Sequence, residues 1–170
     1  MIPESMTIEE RREQVEIFDL EESTTALLAG RPIVKNFKAV VIIVDDEPSI
    51  TQLYSLILRR AGFRVEKTFF NGLDVVEYFR KNSTGIEHNI TIIVIMDQMM
   101  PRMNGLTAAM KLRQLKEDLK IVAASAFSLS PQEVRLFDRI LMKPFSSEEL
   151  IETVSSLVMT EKDNSALERS

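Results

Sequence analysis

Residues 39–47 read AVVIIVDDE, and residues 90–97 read ITIIVIMD. Each is a short, β-branched, unbroken apolar run that ends abruptly in acid. Neither run alternates like a half-exposed strand, and both are too short for a buried helix, so they suit central strands covered on both faces. Arg64–Phe69, Lys120–Ser125 and Arg139–Met142 carry weaker versions of the same signal. Between the strands the apolar spacing changes to that of a helix. Ile50, Leu53, Tyr54, Ile57, Leu58 and Ala61 fall at i, i+3, i+4 and i+7, with Pro48 in the first turn and Gly62 after the last. Asn71 can cap a helix bearing Leu73, Val76 and Phe79, and Asn104 one bearing Leu106, Ala109 and Met110. Ser146 and Glu149 form a capping box ahead of Leu150, Val154, Leu157 and Val158.

This alternation predicts an α/β doubly wound parallel sheet with right-handed crossovers. In such sheets the functional site lies outside the carboxyl ends of the strands. The polar groups of this sequence fall at that edge. Asp45, Asp46 and Glu47 follow the first run, Asp97 follows the third, Ser125 ends the fourth, and Lys143 follows the fifth. Three converging carboxylates repel one another unless a cation sits among them, and hard oxygen donors with room for water suit Mg²⁺. Any one of these elements is commonplace: an acidic turn is usually solvated, and a lone Asp is usually a cap. Their joint occurrence at four of the five strand ends is not.

In combination, VIIVDDEPSI, IVIMDQMMPRMNG, Ser125-Ala126 and LMKPFSSEEL resemble a two-component response-regulator receiver domain over residues 39–159. The resemblance implies a flavodoxin-like sheet of five parallel strands in the order 2-1-3-4-5. It implies that Asp97 accepts a phosphoryl group from a histidine kinase, and that Asp45, Asp46, Asp97 and the backbone carbonyl of Met99 hold Mg²⁺. By the same mapping, Ser125 is the switch hydroxyl and Lys143 the lysine that pairs with the phosphoryl group. The implied partners are a sensor histidine kinase or histidine phosphotransfer domain and a downstream protein, with homodimerisation left open. Two positions depart from the family pattern. Ile140 stands where an aromatic residue is usual, and only 17 residues separate Ser125 from Lys143. The fourth helix is therefore expected to be trimmed, starting at Pro131 and packing through Val134, Leu136 and Phe137.

Other function classes lose ground on composition. With no cysteine, thiolate metal sites and disulfides are excluded, and the single histidine, His88, leaves a Ser-His-Asp triad improbable. No apolar run approaches the ~18 residues of a membrane span. The charge of −5 is concentrated in Glu4–Glu22, where eight acids face two bases, so the remainder sums to +1 and offers no basic patch for nucleic acid. A cytoplasmic location follows as an expectation. A haloacid-dehalogenase-type phosphatase also sets a nucleophilic Asp after a strand, but it wants a second Asp where Met99 stands. A degenerate, unphosphorylated receiver acting as a scaffold is the remaining alternative.

Residues 1–38 read as an acidic, partly helical extension, with Thr7 and Glu10 framing a capping box and Ile8, Val15 and Phe18 at helical spacing. Gly30 and Pro32 would end it. Residues 160–170 read as a short polar tail, too short for an output domain. Lys143, a charge in a solvated crevice, is expected to add little to stability. Met99 and Phe127 stand two residues after Asp97 and Ser125 and flank the line a hydrolytic water would take. They offer it no side-chain acceptor, so only slow hydrolysis of a phosphorylated form is expected.

Overall fold

The computed structural model describes residues 39–82 and 90–167, with side chains to residue 158. The N-terminal extension and His88 lie outside the described residues. The elements run β1 (Ala39–Val44), α1 (Pro48–Arg60), β2 (Arg64–Phe69), α2 (Gly72–Lys81), β3 (Thr91–Asp97), α3 (Gly105–Leu115), β4 (Lys120–Ser125), α4 (Pro131–Val134), β5 (Arg139–Met142) and α5 (Ser147–Leu167). All pairings are parallel, and the strand order is β2-β1-β3-β4-β5. This is the flavodoxin-like topology implied by the sequence.

Burial follows the sequence pattern. Every residue of β1 and of β3 is buried, as a strand covered on both faces requires, whereas in the edge strand β2 only Val65 and Phe69 are buried. The starts of α2, α3 and α5 are fixed by side chains that accept the orphan N–H groups of the first turn. Asn71 accepts from the Asp74 N–H at 3.0 Å and Asn104 from the Thr107 N–H at 2.9 Å. In the Ser146–Glu149 box, the Glu149 N–H donates to Ser146 Oγ at 3.2 Å and the Ser146 N–H to Glu149 Oε2 at 2.7 Å. Among the described residues no helix is long and apolar enough to cross a membrane.

Three details differ from the expectation. On α3, Met110 is exposed, and the inner face is made by Ala108, Ala109 and Leu112. The fourth helix is a single turn on which Val134 is exposed, while beyond it Phe137 is buried and Leu136 packs half-buried against the core. So short a crossover buries little of its own surface, and its exit is held instead by polar contacts. Arg113 on α3 donates from Nε to the Leu136 carbonyl at 3.0 Å and pairs through Nη2 with Asp138 at 2.6 Å. Asp138 also accepts the Ile121 N–H at 2.8 Å, which ties the start of β5 to β4. Finally, α5 runs on to Leu167 through residues read as a polar tail. TEKDNSAL contains neither Gly nor Pro to stop it.

Register carries the fold to the site. Val44 lies opposite Met96, so the next residues, Asp45 and Asp97, leave adjacent strands side by side. Ser125 pairs with Met142, and the Lys143 N–H donates to the Ser125 carbonyl at 2.8 Å. Four of the predicted groups thus emerge at one edge.

Candidate functional site

Lys143 is the centre of the arrangement. Its Nζ donates to Asp97 Oδ1 at 2.6 Å and to Asp45 Oδ2 at 2.9 Å. The other oxygen of each carboxylate accepts a main-chain N–H: Glu47 to Asp45 Oδ1 at 3.0 Å and Met99 to Asp97 Oδ2 at 2.5 Å. Both acids are buried, Asp45 at 3% and Asp97 at 8% exposure. One ammonium therefore answers two carboxylates in a weakly solvated place. Burial pushes the Asp45 carboxyl above its ordinary range. The Glu47 N–H and Lys143 pull it back only in part, and the charge on Asp97 adds to the rise. For Lys143 burial acts downward, but hydrogen bonds and charge from Asp97 and Asp45 reverse it and hold the ammonium above the usual lysine value. The Lys143–Pro144 peptide is cis.

The remaining predicted residues are placed less tightly. Asp46 faces solvent, so two carboxylates share the crevice where three were expected. Among the described residues no group of three His, Cys, Asp or Glu side chains is gathered to hold a metal. Ser125 is buried at the rim, with its hydroxyl engaged by its own loop: Oγ donates to the Phe127 carbonyl at 2.7 Å and accepts the Phe127 N–H at 3.1 Å. Met99 and Phe127 stand at the mouth, 69% and 64% exposed. Ile140 is half-buried against the core.

Two residues near the site carry no role from the motifs. Gln98 is buried next to Asp97; its Nε2 donates to the Met96 carbonyl at 3.2 Å, while Oε1 has no partner among the described residues. An amide oxygen left dry is destabilising. Gln98→Leu is therefore expected to raise the unfolding free energy by about 1 kcal/mol, measured by urea denaturation. An unchanged or lower value would show that Oε1 is satisfied in solution. Tyr54, placed by the sequence on the inner stripe of α1, is buried beside the charged groups. Burial and the neighbouring carboxylates outweigh the pull of Lys143, so its phenol is pushed up to about 12 and stays neutral.

A buried Asp at the end of the central strand, bridged by a lysine to a second buried Asp, brings together three of the residues named by the motif mapping. The family comparison agrees, with a model for the response regulator receiver domain matching residues 41–155. The chain belongs to that family. Receiver domains are signalling domains of two-component systems. The chemotaxis protein CheY of Treponema pallidum is 27% identical over 122 residues, spanning 69% of this chain and 81% of its own length. CheY of Bacillus subtilis is 28% identical over 122 residues, spanning 68% and 93%. Among solved structures, the response regulator TrrA of Thermotoga maritima, in complex with Mg²⁺ and BeF, is 31% identical with a TM-score of 0.60, over 70% of this chain and 98% of TrrA.

Proposed function

We propose that this receiver accepts a phosphoryl group on Asp97 from the phosphohistidine of a sensor histidine kinase or histidine phosphotransfer domain. The acceptor then signals through phosphorylation-dependent contact with another protein. The observation that carries the reading is the Lys143 bridge, which points an ammonium at one oxygen of a buried Asp97. In the transfer an Asp97 oxygen forms the new P–O bond, and the P–N bond breaks with its electron pair going to the imidazole. Little other covalent work falls to the protein, so positioning and charge neutralisation account for the catalysis. Lys143 supplies one counter-charge that can follow the phosphoryl oxygens as a flexible point charge. Ser125 must exchange its bond with the Phe127 backbone for one with the phosphoryl group. That exchange is the switch event we assign to the β4–α4 loop.

The donor set fits Mg²⁺. It consists of hard oxygens, and a single ammonium leaves the Asp45–Asp97 pair one negative charge in excess in a buried place. Asp45, Asp97 and the Met99 carbonyl would hold the ion, with Asp46 reaching it directly or through water. When bound, it supplies charge neutralisation at the phosphoryl oxygens.

Incubation with acetyl phosphate and Mg²⁺, followed by intact-mass measurement, tests the reading. A single phosphate-sized gain in the wild type, absent from Asp97→Asn, is the expected result. No gain in the wild type would favour the scaffold reading, and a gain retained by Asp97→Asn would put the acceptor elsewhere.

A further inference from the structure

Tyr54 is the buried titratable group near the site to which the phosphoryl-transfer scheme gives no task. It stands on α1, and its ring lies against Phe145 with centroids 5.3 Å apart and planes tilted by 36°. Phe145 is two residues beyond Lys143, in the short connection between β5 and α5. On the other side of Lys143 the main chain is tied to β4 by the bond from its N–H to the Ser125 carbonyl. The segment that carries the ammonium is thus held at two points, one a ladder-type hydrogen bond and the other an aromatic contact. Lys143 reaches two acceptors, Asp97 at the end of β3 and Asp45 just past β1, at 2.6 and 2.9 Å, an alignment that a loose connection would not keep. The Tyr54 hydroxyl lies within the field of Lys143, Asp45, Asp97 and Glu47.

We propose that Tyr54 is a positioning residue for phosphoryl transfer: its ring, packed on Phe145, fixes the β5–α5 connection so that Lys143 is held over Asp97 and Asp45. The inference rests on the phosphoacceptor reading for its consequence, but not for its geometry. The ring is what matters, because the aromatic contact is made by its face and edge. Phenylalanine should therefore substitute for Tyr54, and leucine should not. Misplacing a charge by a fraction of an ångström to an ångström at a reacting centre lowers rates by about tenfold or more.

The test uses the full chain as wild type, Tyr54→Phe, Tyr54→Leu and Phe145→Leu. Two quantities are measured on each: the rate of phosphorylation by acetyl phosphate with Mg²⁺, and the side-chain ammonium resonance of Lys143 in the unphosphorylated protein. That resonance is assigned by its loss in Lys143→Arg. Tyr54→Leu and Phe145→Leu should each shift or broaden the Lys143 resonance and slow phosphorylation by about tenfold, while Tyr54→Phe keeps both near wild type. Wild-type resonance and rate in Tyr54→Leu or in Phe145→Leu would overturn the proposal. So would Tyr54→Phe failing as badly as Tyr54→Leu, since the hydroxyl and not the ring would then be at work. If the wild type takes up no phosphate while the leucine variants still displace the Lys143 resonance, the phosphoacceptor reading falls and the positioning role stands.

Discussion

Gly105→Ala should remove about 3 kcal/mol or more of folding stability and lower the melting temperature by about 10 °C. A Cβ at Gly105 would lie 2.1 Å from the Asp97 carbonyl oxygen and 2.8 Å from Gln98 Nε2. No rotamer relieves a clash with main chain, so either β3 or the start of α3 must move. The two are also tied by the Gly105 N–H, which donates to the Gln98 carbonyl at 3.2 Å. Helix propensity works the other way, since alanine gains about 1 kcal/mol over glycine inside a helix, but it is too small to offset the displacement. Asp97 belongs to the peptide that would shift, so loss of phosphate uptake should accompany loss of stability. Gly62, at φ 91° in the exposed turn after α1, is the control. There alanine would take on the strain of a left-handed backbone, about 1–2 kcal/mol. Thermal and urea denaturation of the two variants decide the matter. A Gly105→Ala protein as stable as Gly62→Ala would mean the loop after Asp97 yields easily.

The strand positions were legible because β1 and β3 are buried on both faces, and two-sided burial leaves an unbroken apolar run with a sharp end. The acids that end those runs are the site residues themselves. Local sequence also marked the caps, since Asn71, Asn104 and Ser146 each bond to a main-chain N–H within three residues. What local pattern did not convey was set by contacts across the chain. Met110 sits at correct helical spacing, yet the small residues Ala108 and Ala109 let α3 approach the sheet and turn Met110 outward. The aromatic contact of Tyr54 joins α1 to a loop 91 residues later, and nothing in either segment alone announces it. Nor does the orphaned oxygen of Gln98 follow from its type, which is ordinarily exposed. Asp46 was read as converging with its neighbour because adjacent acids look alike in sequence. Asp45 is buried and bonded to Lys143, whereas Asp46 is exposed.

The same distinction between a solvated and a buried charge governs the stability effect of Lys143. A lysine at an open crevice could be removed with little loss, but this one answers Asp45 and Asp97, whose side chains are 4% and 11% exposed. Lys143→Ala leaves both carboxylates dry and without a counter-charge, and breaking such a pair by deleting one partner should cost about 2–3 kcal/mol at pH 7. The pH dependence follows from the direction of the shifts. The Asp45 carboxyl is already held above its ordinary value of 3.8 by burial, and losing the ammonium raises it further. A carboxyl raised in the folded state favours folding below its ordinary value, and that contribution is lost as pH rises through the raised value. The deficit of Lys143→Ala relative to wild type should accordingly be largest at neutral pH and shrink as pH falls toward about 4. Two further changes should reduce it at pH 7. Mg²⁺, proposed to be held in the folded state by the same oxygens, should stabilise the variant. Asp45→Asn removes one of the stranded charges, so it should recover more stability in the Lys143→Ala background than it gives alone. Unfolding curves across pH 4–8, with and without Mg²⁺, measure all of this. A deficit that is flat with pH and indifferent to Mg²⁺ would mean that water enters the crevice once Lys143 is gone and that the two carboxylates are not dry in solution.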